Sequence, residues 1–395
     1  MLQYGAVGVQ SDIWTAYTRA DCKKNLDGLA FNISRAIRYA EMDLPVRLVT
    51  LTEGAIGGWA SWAGGNEQHL KAYRDWAPDI EGPETEFLGK LCKDGNFYLM
   101  GQMQARDPEL MKDRIFNIGF IIDPNGKVIL KHHKTAMANL VEQMTEPIHI
   151  WDRYLELYGD DPVKLCEALY PVAKTEIGNL GIIICAEGSF PEAARGLALN
   201  GAEVIWRPNF VEPHLSNGMF EVMNRSHAVF NTAYVISTCA SDVYGYRTSG
   251  GGGASEVSRD HRVSWGQSRM YDYRGNLISE VLGTGQSFVS GIFDIDGLRD
   301  FRVRSPWISF AKEIRVEEYK VIYDALAAKG GMYQKNLCME DAPPTEAEFK
   351  EIAKHHINRA VDLGIYTPPP GWEPHAISEG VRSRIRKAAN YGKKK

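Results

Sequence analysis

No apolar run in the 395-residue chain approaches the roughly 18 residues that span a bilayer; residues 180–186 are typical of its longest. The first ten residues hold no basic stretch ahead of an apolar one, so a cytoplasmic location without a secretory leader is expected. Cysteine is sparse. The six (Cys22, Cys92, Cys166, Cys185, Cys239, Cys338) are far apart, with no Cys-x-x-Cys pair and no Cys/His cluster at zinc spacing, so neither a disulfide framework nor a metal is expected. The adjacent pairs His132-His133 and His355-His356 point apart and cannot chelate by themselves. The four glycines at 250–253 lack the Gly-Lys-Ser/Thr ending of a phosphate-binding loop. No internal repeat is present. There is no excess of basic charge: the net charge is −5, which argues against a nucleic-acid-binding protein. Residues 381–395 do carry seven basic side chains and no acid, leaving −12 on the rest; such a tail reads as a solvated end.

What is present is ordinary globular material, 44% apolar and 24% charged, enough for a sizeable core. Strands are expected at 4–10, 46–51, 97–102, 114–123, 127–132, 178–184, 203–206, 234–239, 263–271 and 286–295. Helices are expected at 21–40, 191–200 and 221–231, with a helical, acidic insertion at 148–173. Elements of both kinds interleave and hairpins occur among them, so the class is α/β, layered rather than a barrel. Residues 1–299 form the expected main domain. Residues 300–395 form an extension of charged helix, Pro-rich linker and basic tail. The long Gly- and Trp-rich stretch at 54–83 is of the length that usually serves function.

Three side chains fall at the C-terminal ends of expected strands, the edge where open α/β sheets place their sites. Cys185 ends a buried strand and precedes a tight turn and a helix start. Backbone N–H groups there favour a thiolate and can hold an oxyanion. Glu53 follows another strand, where desolvation suits a carboxylate to base catalysis. Lys134 closes the run Lys131-His132-His133-Lys134, in which alternation sends His132 and Lys134 to one face. Alone, each has an ordinary reading: a core thiol, a capping acid, an edge charge. Together, a base, a cation and a thiol are the parts for acyl transfer.

The pattern resembles the nitrilase (carbon–nitrogen hydrolase) superfamily. Residues 48–59 (LVTLTEGAIGGW), 117–134 (NIGFIIDPNGKVILKHHK) and 178–209 (GNLGIIICAEGSFPEAARGLALNGAEVIWRPN) carry the resemblance, with Gly266-Gln267-Ser268 and the turn at 273–276 behind them. It covers roughly residues 4–295. It implies an α-β-β-α sandwich that dimerises into a four-layer αββα-αββα body. It also implies a Glu53-Lys134-Cys185 triad and a second acid, for which Glu142 is the best match and Glu146 the competitor. The run 185–192, Cys-x-acid-Gly-x-aromatic-Pro-Glu, is most similar to the aliphatic amidase and formamidase branch; nitrilases usually place Trp-Glu after the Cys. Small-amide members have a Trp four residues after the Lys, where this chain has Ala138, and the segment between Glu142 and Cys185 is longer than usual.

The implied activity is amide hydrolysis through a Cys thioester, with no cofactor and no metal. Expected substrate contacts are Ala186 through its backbone N–H, Trp59, Ala138 and Asn209. The expected partners are a small-molecule amide and further copies of the chain, with no nucleic acid and no membrane. A nitrilase or N-carbamoyl amidohydrolase would use the same triad, and a non-catalytic binding protein of this fold is the distant alternative.

Overall fold

Two six-stranded sheets lie face to face in the computed structural model, which describes residues 2–58, 75–138, 142, 144–210, 218–245, 262–306, 309–340 and 343–392. The first runs β15 (Ser287–Asp294), β1 (Gln3–Gln10), β3 (Val46–Thr50), β4 (Tyr98–Arg106), β5 (Ile115–Ile122), β6 (Val128–His133). The second runs β14 (Leu277–Glu280), β13 (Arg269–Tyr271), β10 (Tyr234–Cys239), β9 (Val204–Asn209), β8 (Gly178–Ile182), β7 (Val172–Thr175). Pairing is parallel through β1-β3-β4 and β8-β9-β10 and antiparallel at the flanks. A small third sheet joins β12 (Arg262–Ser264), β11 (Asp242–Tyr244) and β2 (Ile13–Trp14).

The space between the large sheets is filled by apolar side chains. Ala6, Leu48, Met100 and Ile121 of the first meet Leu180, Ile182, Trp206 and Ile236 of the second in one buried cluster. β4 and β9 are buried on both faces, and strands so placed read as apolar runs rather than alternations. Approach is close at Gly8, where a Cβ would stand 2.7 Å from Thr238 Cγ2 of the facing sheet.

Helices cover both outer faces, completing the α-β-β-α sandwich. On the first sheet lie α1 (Cys22–Ala40), which buries Leu26, Leu29, Ile33 and Ala36 at helical spacing, and α2 (Pro83–Gly95), opened by Pro83 and closed by left-handed Asn96. On the second lie α3 (Pro191–Leu199) and α4 (Met219–Asn231). Beyond residue 300 come α5 (Val316–Ala328), α6 (Glu346–Asp362) and α7 (Glu379–Ala389). Leu337, Cys338, Ile352, Val381 and Ala388 of this extension join the core cluster on the outer face of the first sheet.

Two sequence expectations change. The insertion at 148–173 is two short helices, Trp151–Tyr158 and Pro162–Leu169, and then a strand, β7. Gly159 breaks the first helix with φ +78, and Asp161 caps the second through the N–H groups of Val163 and Lys164. The expected strand at 263–271 is β12 and β13 in different sheets, because Gly266 and Gln267 both take positive φ between them. Among the described residues no helix is long and apolar enough to cross a membrane.

Candidate active site

Glu53, Lys134 and Cys185 follow β3, β6 and β8, and the two facing sheets bring these strand ends together. Lys134 is fully buried. Its Nζ donates to Glu53 Oε1 at 3.1 Å and to Glu142 Oε1 at 2.7 Å. Atoms of Glu53, Glu142 and Cys185 all lie within 4.8 Å of one another. That spacing would also suit a metal, but the Lys134 ammonium already fills the cation's place between the carboxylates.

Burial pulls the Lys134 pKa down, but Glu142, Glu53 and Cys185 pull harder the other way, so the ammonium stays charged. Burial pushes the Glu142 carboxyl up to about 7, against the pull of Lys134. Glu146 lies apart from the lysine's bonds. It accepts from the Met137 N–H at 2.6 Å, and its own N–H donates to His149 Nδ1 at 3.2 Å. Burial pushes Glu146 up to about 8 and His149 down to about 3.

The alternation read at 131–134 is present in space. His132 and Lys134 turn inward to Glu187 and Glu53, while Lys131 and His133 both meet Asp107. Glu53 is held from three sides. Oε1 also accepts from Asn117 Nδ2 at 3.0 Å, and Oε2 accepts from the Phe210 N–H at 2.9 Å. Asn117 in turn takes a bond from Gln102 Nε2, and its carbonyl receives the Lys134 N–H. One strand residue therefore braces both the acid and the lysine.

Cys185 is buried at 7% exposure and has φ +49, an uncommon conformation for a residue with a side chain. It opens the 3-10 turn Cys185–Ser189. Glu187 in that turn is fully buried and accepts from His132 Nε2 at 2.9 Å and from the Thr135 N–H and hydroxyl at 2.6 Å each. Burial pushes the Glu187 pKa up, but His132 and Thr135 outweigh it and hold the carboxylate low. The Glu187 carboxylate thus ties the cysteine turn to the segment that carries Lys134.

The other expected contacts are spread. Ala186 is the second residue of the turn. Ala138 accepts the Glu142 N–H at 3.0 Å, and Met137 beside it packs with Met144, Phe210 and Val243. Asn209 is buried at the end of β9, where Nδ2 donates to the Arg207 carbonyl and Ser237 Oγ, and its carbonyl accepts from Thr52. That places it in the frame behind Glu53. Trp59, Trp62 and the glycines at 250–253 lie outside the described residues. A cavity of about 1200 Å³ lies elsewhere, between α3, α4 and α5, and none of the four clustered side chains lines it.

A family model described as carbon-nitrogen hydrolase matches residues 5–297. The chain belongs to the carbon–nitrogen hydrolase family. Among curated relatives, a hydrolase from Schizosaccharomyces pombe is 28% identical over 216 residues, 52% of this chain and 56% of that protein. A formamidase from Bacillus cereus (strain Q1) is 30% identical over 158 residues, 40% of this chain and 41% of that protein. The chain thus spans about half the length of the curated relatives it matches. Of solved structures, the carbon-nitrogen hydrolase of Helicobacter pylori G27 superposes with a TM-score of 0.59 at 17% identity, covering 81% of this chain and 98% of that one. Saccharomyces cerevisiae Nit3, a nitrilase superfamily member, gives 0.55 at 21%, covering 79% and 97%. These superpositions carry the fold.

Asn117, Gln102, Glu187 and Arg207 were not singled out from sequence, and His132 was placed on the face of Lys134 without a role. Asn117 opens the second family-like segment and Glu187 is the acid of the Cys-x-acid-Gly run, so for these two a signal was present.

Proposed function

We propose that this carbon–nitrogen hydrolase is an amidase acting on non-peptide carboxamides through a thioester on Cys185. One observation carries the reading: a buried lysine bridges two carboxylates within reach of a thiol at the end of a strand. In this reading Glu53 takes the thiol proton, and Sγ bonds to the amide carbon. The carbonyl oxygen becomes an oxyanion facing the Lys134 ammonium and the Ala186 N–H. The C–N bond then breaks, and ammonia or an amine leaves with the proton returned from Glu53. Water, deprotonated by Glu53, attacks the thioester and frees the carboxylic acid and the thiol. Glu142 holds Lys134 in place and in charge.

The formamidase relative and the 185–192 run support an amide over a nitrile. The test is ammonia release from a panel of amides, N-carbamoyl compounds and nitriles; turnover of nitriles alone overturns the reading. Within the amides, Ala138 in place of a large aromatic leaves room for a longer or aryl acyl group. A phenyl-substituted amide is expected to exceed acetamide in kcat/KM about tenfold, which needs about 1.4 kcal/mol of differential binding. A preference for acetamide or formamide overturns the open pocket. A cytoplasmic location, where thiols stay reduced, is part of the same proposal. Assembly as a homo-oligomer is part of the same proposal.

A further inference from the structure

Arg207 lies in the interior of β9 and is fully buried. Its Nε and Nη2 donate to one oxygen, the Cys185 carbonyl, at 3.1 and 2.9 Å. Nη1 donates to Asn224 Oδ1 on α4 at 2.9 Å, and the Phe220 ring faces the guanidinium carbon at 5.3 Å. From the same helix His227 Nε2 reaches the Gly188 carbonyl at 2.8 Å, so both carbonyls at the ends of this turn are gripped from α4 and β9. The turn makes room for the guanidinium at Gly188, where a Cβ would stand 1.9 Å from Arg207 Nε. An arginine buried at a strand position that would otherwise take an apolar side chain is costly, and here two of its three nitrogens are directed at one peptide group.

That peptide joins Cys185 to Ala186, and no described peptide bond is cis. In a planar trans peptide the C=O and N–H point to opposite sides. The side away from Arg207 is therefore the Ala186 N–H. We propose that Arg207 is a positioning residue for the oxyanion site: by gripping the Cys185 carbonyl it fixes and polarises the Cys185–Ala186 peptide, so the Ala186 N–H is held as a donor. The proposal rests on the role given to Ala186 in the amidase reading. Two charged donors on one carbonyl oppose rotation of the peptide and explain how Cys185 persists at φ +49. They also draw electron density toward the oxygen, which strengthens the N–H as a donor. The planar fork matters, because a lysine offers a point charge without the paired geometry.

Two probes of one thiol separate this from general support of the fold. With p-nitrophenyl acetate, Sγ bonds to the acetyl carbon through an oxyanion, p-nitrophenolate leaves, and the thiol proton passes to Glu53. With iodoacetamide, Sγ bonds to the methylene carbon, iodide leaves and the thiol proton again passes to Glu53, with no oxyanion. Arg207→Met is expected to slow the acylation burst about a hundredfold and alkylation by less than about threefold. Arg207→Lys is expected between Arg207→Met and the natural protein in acylation. Equal losses with both probes, or an unchanged burst, overturn the proposal. If Arg207→Met does not fold, Asn224→Ala, which frees Nη1, reads the same ratio; an unchanged ratio there overturns it. Neither probe depends on the natural amide. A protein that releases no ammonia from any amide therefore sinks the substrate reading and leaves this ratio standing.

Discussion

At Cys185 a local pattern and a distant one meet. The apolar run and the turn behind it mark a strand end, but the carboxylates and the lysine come from β3, β6 and the segment after it. Cys185→Ala is expected to abolish amide turnover with the fold retained; a folded variant keeping more than a few per cent of the activity would refute the nucleophile. Glu53→Gln keeps the shape but cannot take a proton, and a rate loss of about three decades or more is expected because acylation and deacylation both need the base. Glu142→Gln should also damage kcat, since it removes a charged partner of Lys134, whereas Glu146→Gln should not. Glu146 instead shapes stability. Its folded pKa of about 8 stands above the usual 4.5, so between those values the folded state keeps a proton that the unfolded chain has lost. That contribution is whole below about pH 4.5 and fades as pH rises through about 8. Gln keeps the acceptor for the Met137 N–H, so thermal melts of Glu146→Gln should fall less steeply with pH across this window. Parallel slopes would contradict the assignment.

At the scale of elements, legibility followed burial. Strands covered on both sides, such as β3 and β8, read as apolar runs whose ends made Glu53 and Cys185 visible, whereas Lys134 was reached through the alternation of half-exposed β6. Elements short enough to be reset by one residue did not read: β7 hides inside a helical stretch, and the break at Gly266 and Gln267 divides β12 from β13. Side chains whose partners are remote in sequence were equally silent. Glu187 meets His132 across 55 residues and Arg207 meets Cys185 across 22, and no local periodicity records such pairs. Gly188 is the trace they leave, a glycine whose need arises from another strand. Gly188→Ala forces the turn or Arg207 to move, at about 1–3 kcal/mol. Urea unfolding should show that loss, and acylation of Cys185 should fall with it. A variant of natural stability would mean that the turn relaxes freely.

For the whole molecule, the extension divides into two kinds of surface. Its later part, through Ile352, Val381 and Ala388, is buried against the first sheet's own helical layer. Its earlier part is bare: Val316, Tyr319, Val321, Ile322 and Tyr323 of α5 are each about half or more exposed, beside exposed Leu199, Val229 and Phe230 of α3 and α4. Trp307 and Ile308 lie outside the described residues. The cavity of about 1200 Å³ between these helices belongs to the same face, and its lining includes Arg195, Arg274 and Lys320 as well as Glu192 and Glu313. A contiguous apolar face of that kind on a chain of net charge −5 asks for a cover. On the homo-oligomer proposal a second copy would supply one by symmetry, the same patch meeting itself about a two-fold axis. Light scattering at micromolar concentration should therefore give at least twice the chain mass of 44.2 kDa. Tyr319→Glu combined with Ile322→Glu should reduce it to a monomer, since two carboxylates facing their own copies across the axis repel and lose hydration. None of Glu53, Lys134, Glu142 and Cys185 lines that cavity, so the monomer should retain alkylation at Cys185. A natural protein that scatters as a 44.2 kDa monomer removes the dimer face and leaves α5 without a cover.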